Sequence, residues 1–176
     1  MRLLCLRHGQ SEYNILRLCN DNPARPVHLT TLGRAQAEAA AQRLRCEPLE
    51  RIFCSELPRT RETARIVGRH HRVPIQTRPD LNEIRSGCDG LPVETYFRAI
   101  THDRLKARVD DGETLLEHKA RVLGFLEWLR AQAYDTVAVV AHEETLRVFA
   151  AYARNLSDHA MIGLQFANCE ILEIEL

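Results

Sequence analysis

The chain of 176 residues has no apolar run long enough to cross a bilayer. A clean stretch such as Val137 to Ala141 is only five residues, against the roughly 20 that a spanning helix needs, so no membrane partner is expected. The apolar start from Met1 to Leu6 runs straight into Arg7 and His8, too soon for the h-region of a secretory signal. The six cysteines (Cys5, Cys19, Cys46, Cys54, Cys88 and Cys169) form no C-x-x-C pair. That excludes a zinc knuckle and a thioredoxin-like redox motif, and no metal site is expected. Scattered, reduced thiols suit a cytoplasmic protein. Charge of one sign is not in excess either, with Lys plus Arg and Asp plus Glu at 24 each. No nucleic-acid partner is therefore expected, and any anion-binding site must be local. Repeats and low-complexity linkers are missing too, so residues 1–176 read as a single domain.

What is present is the mixture of an ordinary globular core, 45% apolar and 27% charged. Leu3 to Leu6 reads as a buried strand. Thr30 or Thr31 caps a helix running to about Arg45, rich in Ala, Gln, Glu and Leu. A strand from Arg51 to Ser55 leads into a helix from Pro58 to about His71, with proline in the first turn where its missing N–H costs nothing. A weakly patterned segment from Pro79 to Asp111 holds one helix near Val93 to Thr101. Thr114 to Ala133 is a long amphipathic helix. Val137 to Ala141 is a strand buried on both faces, followed by a helix from just past His142 to about Arg154. Ile171 to Leu176 alternates apolar residues with Glu173 and Glu175, as an edge strand with one wet face does. Strands alternating with helices predict a three-layer α/β/α sandwich with a mostly parallel central sheet, the 84–111 segment forming a short lid.

Open sheets of this kind bind ligands at the carboxyl ends of their strands. Arg7 and His8 follow the first strand, Ser55 and Arg59 the second, and His142 the strand ending at Ala141. Three strand exits thus deliver two arginines and two histidines. Arginine suits bidentate phosphate recognition, so the set points to an anionic substrate.

Six motifs then occur in order. Arg7-His8-Gly9-Gln10-Ser11-Glu12-Tyr13-Asn14 resembles the R-H-G-[EQ]-S-x-x-N motif of the histidine phosphatase superfamily, in its phosphoglycerate mutase-like branch. Leu29 to Ala37 resembles its L-T-x-x-G-x-x-Q-A helix start, and Ser55 to Ala64 its S-x-L-x-R-A-x-Q-T-A block. Leu81-Asn82-Glu83, Asp111-Gly112-Glu113-Thr114 and Val139-Val140-Ala141-His142 are similar to its L-x-E, G-E-S and V-[ST]-H-G elements. The resemblance implies a phosphomonoesterase for a small phosphorylated metabolite, with neither cofactor nor metal. His8 would be the nucleophile that becomes phosphohistidine. Arg7, Asn14 and Arg59, with His142, would hold the phosphate oxygens. Glu83 would be the general acid and base, with Asp89 the alternative. A phosphoglycerate mutase, a protein phosphohistidine phosphatase and a non-catalytic phosphate binder share the fold and stand as alternatives.

Arg61 and Arg65 read as surface charges. His28, His70, His71, His102, His118 and His159 lack motif partners and read as surface or loop residues. Glu143 and Glu144 stand where the family has glycines. A carboxylate there either repels a phosphate dianion or turns outward. The lid mixes basic and acidic residues evenly and selects no substrate, and nothing in the chain indicates an oligomeric state.

Overall fold

The computed structural model describes residues 1–176. In chain order the elements are β1 (Arg2–Arg7), α1 (Glu12–Leu16), α2 (Thr31–Leu44), β2 (Arg51–Cys54), α3 (Pro58–Val67), β3 (Ile75–Thr77), α4 (Val93–Ala99), α5 (Leu115–Arg130), β4 (Thr136–Ala141), α6 (Glu143–Ala153), α7 (Asp158–Ile162) and β5 (Ile171–Glu175). One five-stranded sheet runs β3-β2-β4-β1-β5. All pairs are parallel except β1 with β5. The sandwich and its mostly parallel sheet match the sequence reading. Three short elements escape it: α1, β3 and α7.

The period-2 alternation of strands sorts the core into two layers. Leu3 and Cys5 of β1, Phe53 of β2, and Val137 and Val139 of β4 face α5, α6 and α7. Leu4, Leu6, Ile52, Cys54, Ala138 and Val140 face α2 and α3. On the first side Phe53 packs edge-on against Phe125, with ring centroids 5.8 Å apart, and against Trp128 at 5.5 Å. Cutting a buried aromatic such as Phe125 to alanine costs about 3–5 kcal/mol by the usual large-to-small scale. On the second side the layer is built on Ala37, Ala40 and Ala41 of α2, all buried, so small side chains let that helix lie close to the sheet.

Side-chain caps fix where α1, α2, α5 and α7 start. Thr30 accepts from Gly33 N at 3.0 Å to start α2. Thr114 and Glu117 form a reciprocal capping box at the head of α5, satisfying two otherwise orphaned donors. Ser11 and Asn14 do the same for α1. A glycine pair sets the loop after β1. A Cβ at Gly9 would lie 2.3 Å from the carbonyl oxygen of Gly33, and one at Gly33 would lie 2.0 Å from that of Gln10. Backbone meets backbone there, and only glycine allows it.

One expectation is corrected. His118 is fully buried, not a surface or loop residue. It lies on the apolar face of α5 with its Nδ1 2.9 Å from Arg121 Nη2 and 3.5 Å from Glu113 Oε1. His28, His70, His102 and His159 are exposed and His71 is half-buried, and Arg61 and Arg65 lie on the exposed face of α3.

Candidate active site

The site sits where parallel β1, β2 and β4 end together. Arg7 pairs with Ala141 in the β1–β4 register, so His8 and His142 leave adjacent strands side by side. His8 N continues the ladder to Ala141 O at 3.0 Å. Asn168 Nδ2 donates to His8 O at 2.8 Å, and Gly9 N donates to Thr63 Oγ1 at 3.1 Å. The backbone carrying His8 is therefore held from both flanks.

His8 Nδ1 lies 2.7 Å from the carbonyl oxygen of Gly9. A carbonyl only accepts, so Nδ1 carries the proton and Nε2 presents a lone pair. Arg59 Nε donates to that Nε2 at 3.0 Å, which agrees with the same tautomer. Burial pushes the His8 imidazole well below its ordinary pKa, and the charges of Arg59 and Arg7 add to this. The ring is held neutral, with Arg59 on its Nε2 lone pair.

Arg59 is the hub. Its Nη2 donates to His142 Nδ1 at 3.0 Å and to Asn20 O at 3.0 Å, and its Nη1 donates to Asn20 Oδ1. Because Arg59 only donates, His142 Nδ1 is the acceptor and Nε2 carries the proton, 2.8 Å from Ser55 Oγ. Ser55 in turn meets Thr60 Oγ1 at 2.7 Å. Burial, then Arg59, holds His142 well below the ordinary histidine pKa. The two rings stand edge to face with centroids 5.3 Å apart. Burial pulls Arg59 itself down to about 10, against the opposing pull of Glu83, so it stays cationic.

Glu83 Oε2 lies 3.6 Å from His142 Nδ1 and 3.8 Å from Arg59 Nη2, while Oε1 accepts from Ile84 N at 3.1 Å. Burial raises its carboxyl above the ordinary value; Arg59 opposes this and Glu144 reinforces it. A network below keeps Glu83 in place. Arg121 Nη1 donates to the carbonyls of Asp80 at 2.7 Å and Asn82 at 3.1 Å, and Glu113 Oε1 accepts from Arg85 N at 3.0 Å. Burial alone would raise Glu113, but His118 and Arg121 bring it down to about 2.

Arg7, His8, Asn14, Arg59 and Glu83 line one cleft of about 220 Å³. His142 lies behind Arg59 with no exposed surface. Asn14 uses its Oδ1 to cap Ser11 N at 2.9 Å, leaving its amide hydrogens available. Asp89, the alternative acid, is not in the lining. Burial alone would raise it, but Arg25 and the amides of Asp21 and Asn22 hold it below the carboxylate range. Its role is to pin that loop. Of the two sequence alternatives, Glu143 does not take the outward turn: it lines the cleft and turns onto Arg7, with Oε2 2.7 Å from Nη1. Arg7 Nη1 also donates to Phe166 O at 2.5 Å. Arg147 bridges Glu143 at 3.0 Å and Glu144 at 2.5 Å. Asn20, which fixes Arg59, sits in a loop without periodicity and carried no sequence signal.

Residues 3–176 match the model of the histidine phosphatase superfamily, branch 1. The chain belongs to that superfamily. It is thus placed among histidine-type phosphatases, and the six ordered motifs are those of its own family. The probable phosphoglycerate mutase GpmB of Yersinia enterocolitica is 26% identical over 99% of this chain and 85% of that protein. The adenosylcobalamin/alpha-ribazole phosphatase of Salmonella typhimurium is 41% identical, over 58% of this chain and 48% of that protein. Among solved structures, the alpha-ribazole phosphatase of Shigella flexneri superposes with a TM-score of 0.90 at 25% identity, covering 100% of this chain and 91% of that one. A mycobacterial glucosyl-3-phosphoglycerate phosphatase in complex with VO3 gives 0.85 at 25% identity, covering 98% and 90%.

Proposed function

We propose that this chain is a metal-independent phosphomonoesterase that hydrolyses a small phosphorylated metabolite through a phosphohistidine at His8. The observation that carries the reading is the Nδ1-to-Gly9 hydrogen bond of 2.7 Å, which leaves Nε2 as a lone pair at the floor of an arginine-lined cleft. The phosphate sits among Arg7, Asn14 and Arg59, whose donors neutralise charge on the equatorial oxygens during in-line transfer, while His142 behind them orients the Arg59 guanidinium. His8 Nε2 attacks phosphorus, the P–O bond to the alcohol breaks, and Glu83 gives its proton to the departing oxygen. Glu83 then takes a proton from water, the water oxygen attacks phosphorus, and the P–N bond breaks. Phosphate leaves and His8 returns to its neutral form. The raised Glu83 carboxyl suits a group that must be an acid in one step and a base in the next. Six free cysteines, five of them buried, fit a reducing compartment, and the cytoplasm is the assignment we make.

The test uses p-nitrophenyl phosphate. Wild type should turn it over in the presence of chelator and, quenched in alkali, should carry a phosphoryl group that is stable in base and lost in acid. His8→Ala should lack the adduct and keep less than about a thousandth of the activity, the scale of losing one member of a catalytic unit. A chelator-sensitive activity restored by a divalent metal would refute the metal-independent route. Phosphate binding without any adduct would instead favour a binder, the reading to which the Arg7–Glu143 pair lends support.

A further inference from the structure

Above the polar floor, the cleft has an apolar wall that the chemistry of phosphate transfer does not use. Helix α4 buries none of its residues in the core. Val93, Tyr96 and Phe97, spaced i, i+3 and i+4, lie on one face of it and line the cleft together with Leu18. Phe97 is 40% exposed, and its ring lies 5.6 Å from that of Tyr96. The wall is firmly built. Leu18 bridges to Pro92, Cys19 N donates to Leu91 O at 2.9 Å, and Val93 N donates to Arg17 O at 2.9 Å.

The charges of the cleft point the same way. Its three lining arginines face four lining carboxylates, Asp21, Glu83, Glu143 and Glu144. Arg147 is committed to Glu143 and Glu144, Arg7 shares Glu143, and Arg59 is spent on the phosphate seat. No lining cation is left to receive a second anionic group. Arg104 lies 5.4 Å from the Phe97 ring centroid but outside the lining. A phosphate on the floor fixes one end of the substrate, so the wall must meet the alcohol it is esterified to. At about 220 Å³, the cleft is smaller than the roughly 300–1,000 Å³ of pockets for drug-sized ligands. The space beyond the phosphate suits one ring.

We propose that Leu18, Val93, Tyr96 and Phe97 are the specificity-determining seat for the leaving group, and that the substrate is a phosphate monoester of an uncharged alcohol bearing a compact aromatic group. This rests on the phosphatase reading above, and the experiment separates the two. Binding of non-hydrolysable phosphonates is measured by calorimetry, which needs no turnover. Benzylphosphonate should bind about tenfold tighter than methylphosphonate, equivalent to about 1.4 kcal/mol, and phosphonoacetate should bind more weakly than methylphosphonate. Phe97→Ala and Val93→Ser should each shrink the benzyl preference to about threefold or less, whereas Leu91→Ala, outside the lining, should leave it intact. Turnover is then compared on 2-phenylethyl and ethyl phosphate, whose leaving alcohols differ little in acidity, so that a preference appears in KM. Equal affinity for benzyl- and methylphosphonate, no benzylphosphonate binding, tighter binding of phosphonoacetate, or a preference untouched in both wall variants would overturn the seat. Discrimination among phosphonates with neither ester hydrolysed would uphold the seat and refute the phosphatase reading instead.

Discussion

Replacing Glu143 by glutamine removes one negative charge from the edge of the proposed phosphate seat and keeps the side chain's shape. In the wild type Glu143 Oε2 stands 2.7 Å from Arg7 Nη1, so a phosphate dianion reaching for Arg7 meets a cation already neutralised. At an effective dielectric near 20, two like charges about 6 Å apart repel by on the order of 3 kcal/mol. The Glu143 side chain is 24% exposed and that of Arg7 19%, so water and salt screen part of it, and about half is a reasonable remainder. Glu143→Gln should therefore tighten inorganic phosphate by about tenfold, or roughly 1.4 kcal/mol. The fold should lose little. The carboxylate at the first turn of α6 is worth about 0.3–1 kcal/mol through the helix dipole, and Arg147 keeps Glu144 at 2.5 Å. Calorimetric titration with phosphate and competitive inhibition of p-nitrophenyl phosphate hydrolysis both read this directly. An affinity unchanged within error would refute the reasoning, because it would mean that the dianion does not use the Arg7 face that Glu143 covers.

Other outcomes follow from the same geometry. Glu83→Gln should slow alkyl phosphates far more than p-nitrophenyl phosphate, whose leaving group scarcely needs a proton; equal losses would move the acid elsewhere. Glu113→Gln should cost up to about 3 kcal/mol at pH 7, from a carboxyl lowered from 4.5 to about 2. Because its folded pKa is depressed, that contribution is complete above the unfolded value near 4.5 and fades as pH falls through about 2, so denaturation midpoints of variant and wild type should converge in acid. A constant gap would show that charge is not the cause. Gly33→Ala places a Cβ 2.0 Å from Gln10 O and should lower stability by about 1–3 kcal/mol or more, the scale of overpacking; an unchanged melting temperature would mean that the loop yields freely.

The parts of the architecture that announce themselves in sequence are those with strong periodicity or a clear cap. The β-branched run ending at Ala141 is β4, buried throughout, and the Thr114 cap starts α5 where the apolar spacing begins. The missed elements have no such signal. β3 has three residues, all exposed, so neither length nor alternation marks it, and α1 is a five-residue helix held by its capping box. For the site, the strand-exit argument brings Arg7, His8, Arg59 and His142 to one place, and the structure sets the two histidines within hydrogen-bonding distance of Arg59, with Arg7 lining the same cleft. Glu83 is where the L-x-E motif puts it, but its support by Arg121 and Glu113 joins segments no local pattern connects. His118 was legible in principle: it falls in register with Leu115, Val122 and Leu129, all buried on α5.

The position of β1 in the sheet has a consequence for how the protein is made. Both of its partners, β4 and β5, lie more than 120 residues further along the chain, so a strand synthesised well before either is among the last to be paired. Until residues 136–175 have emerged, Arg7 and His8 trail a strand with two bare edges, the kind of exposed segment that recruits wrong partners. Closing such a distant pairing is also slow compared with forming local helices. His8 and His142 are therefore brought together by the same late step, and no partly synthesised chain has the assembled cleft. Conditions that delay the docking of β1 would reduce the yield of active protein well before they affected the stability of the finished one.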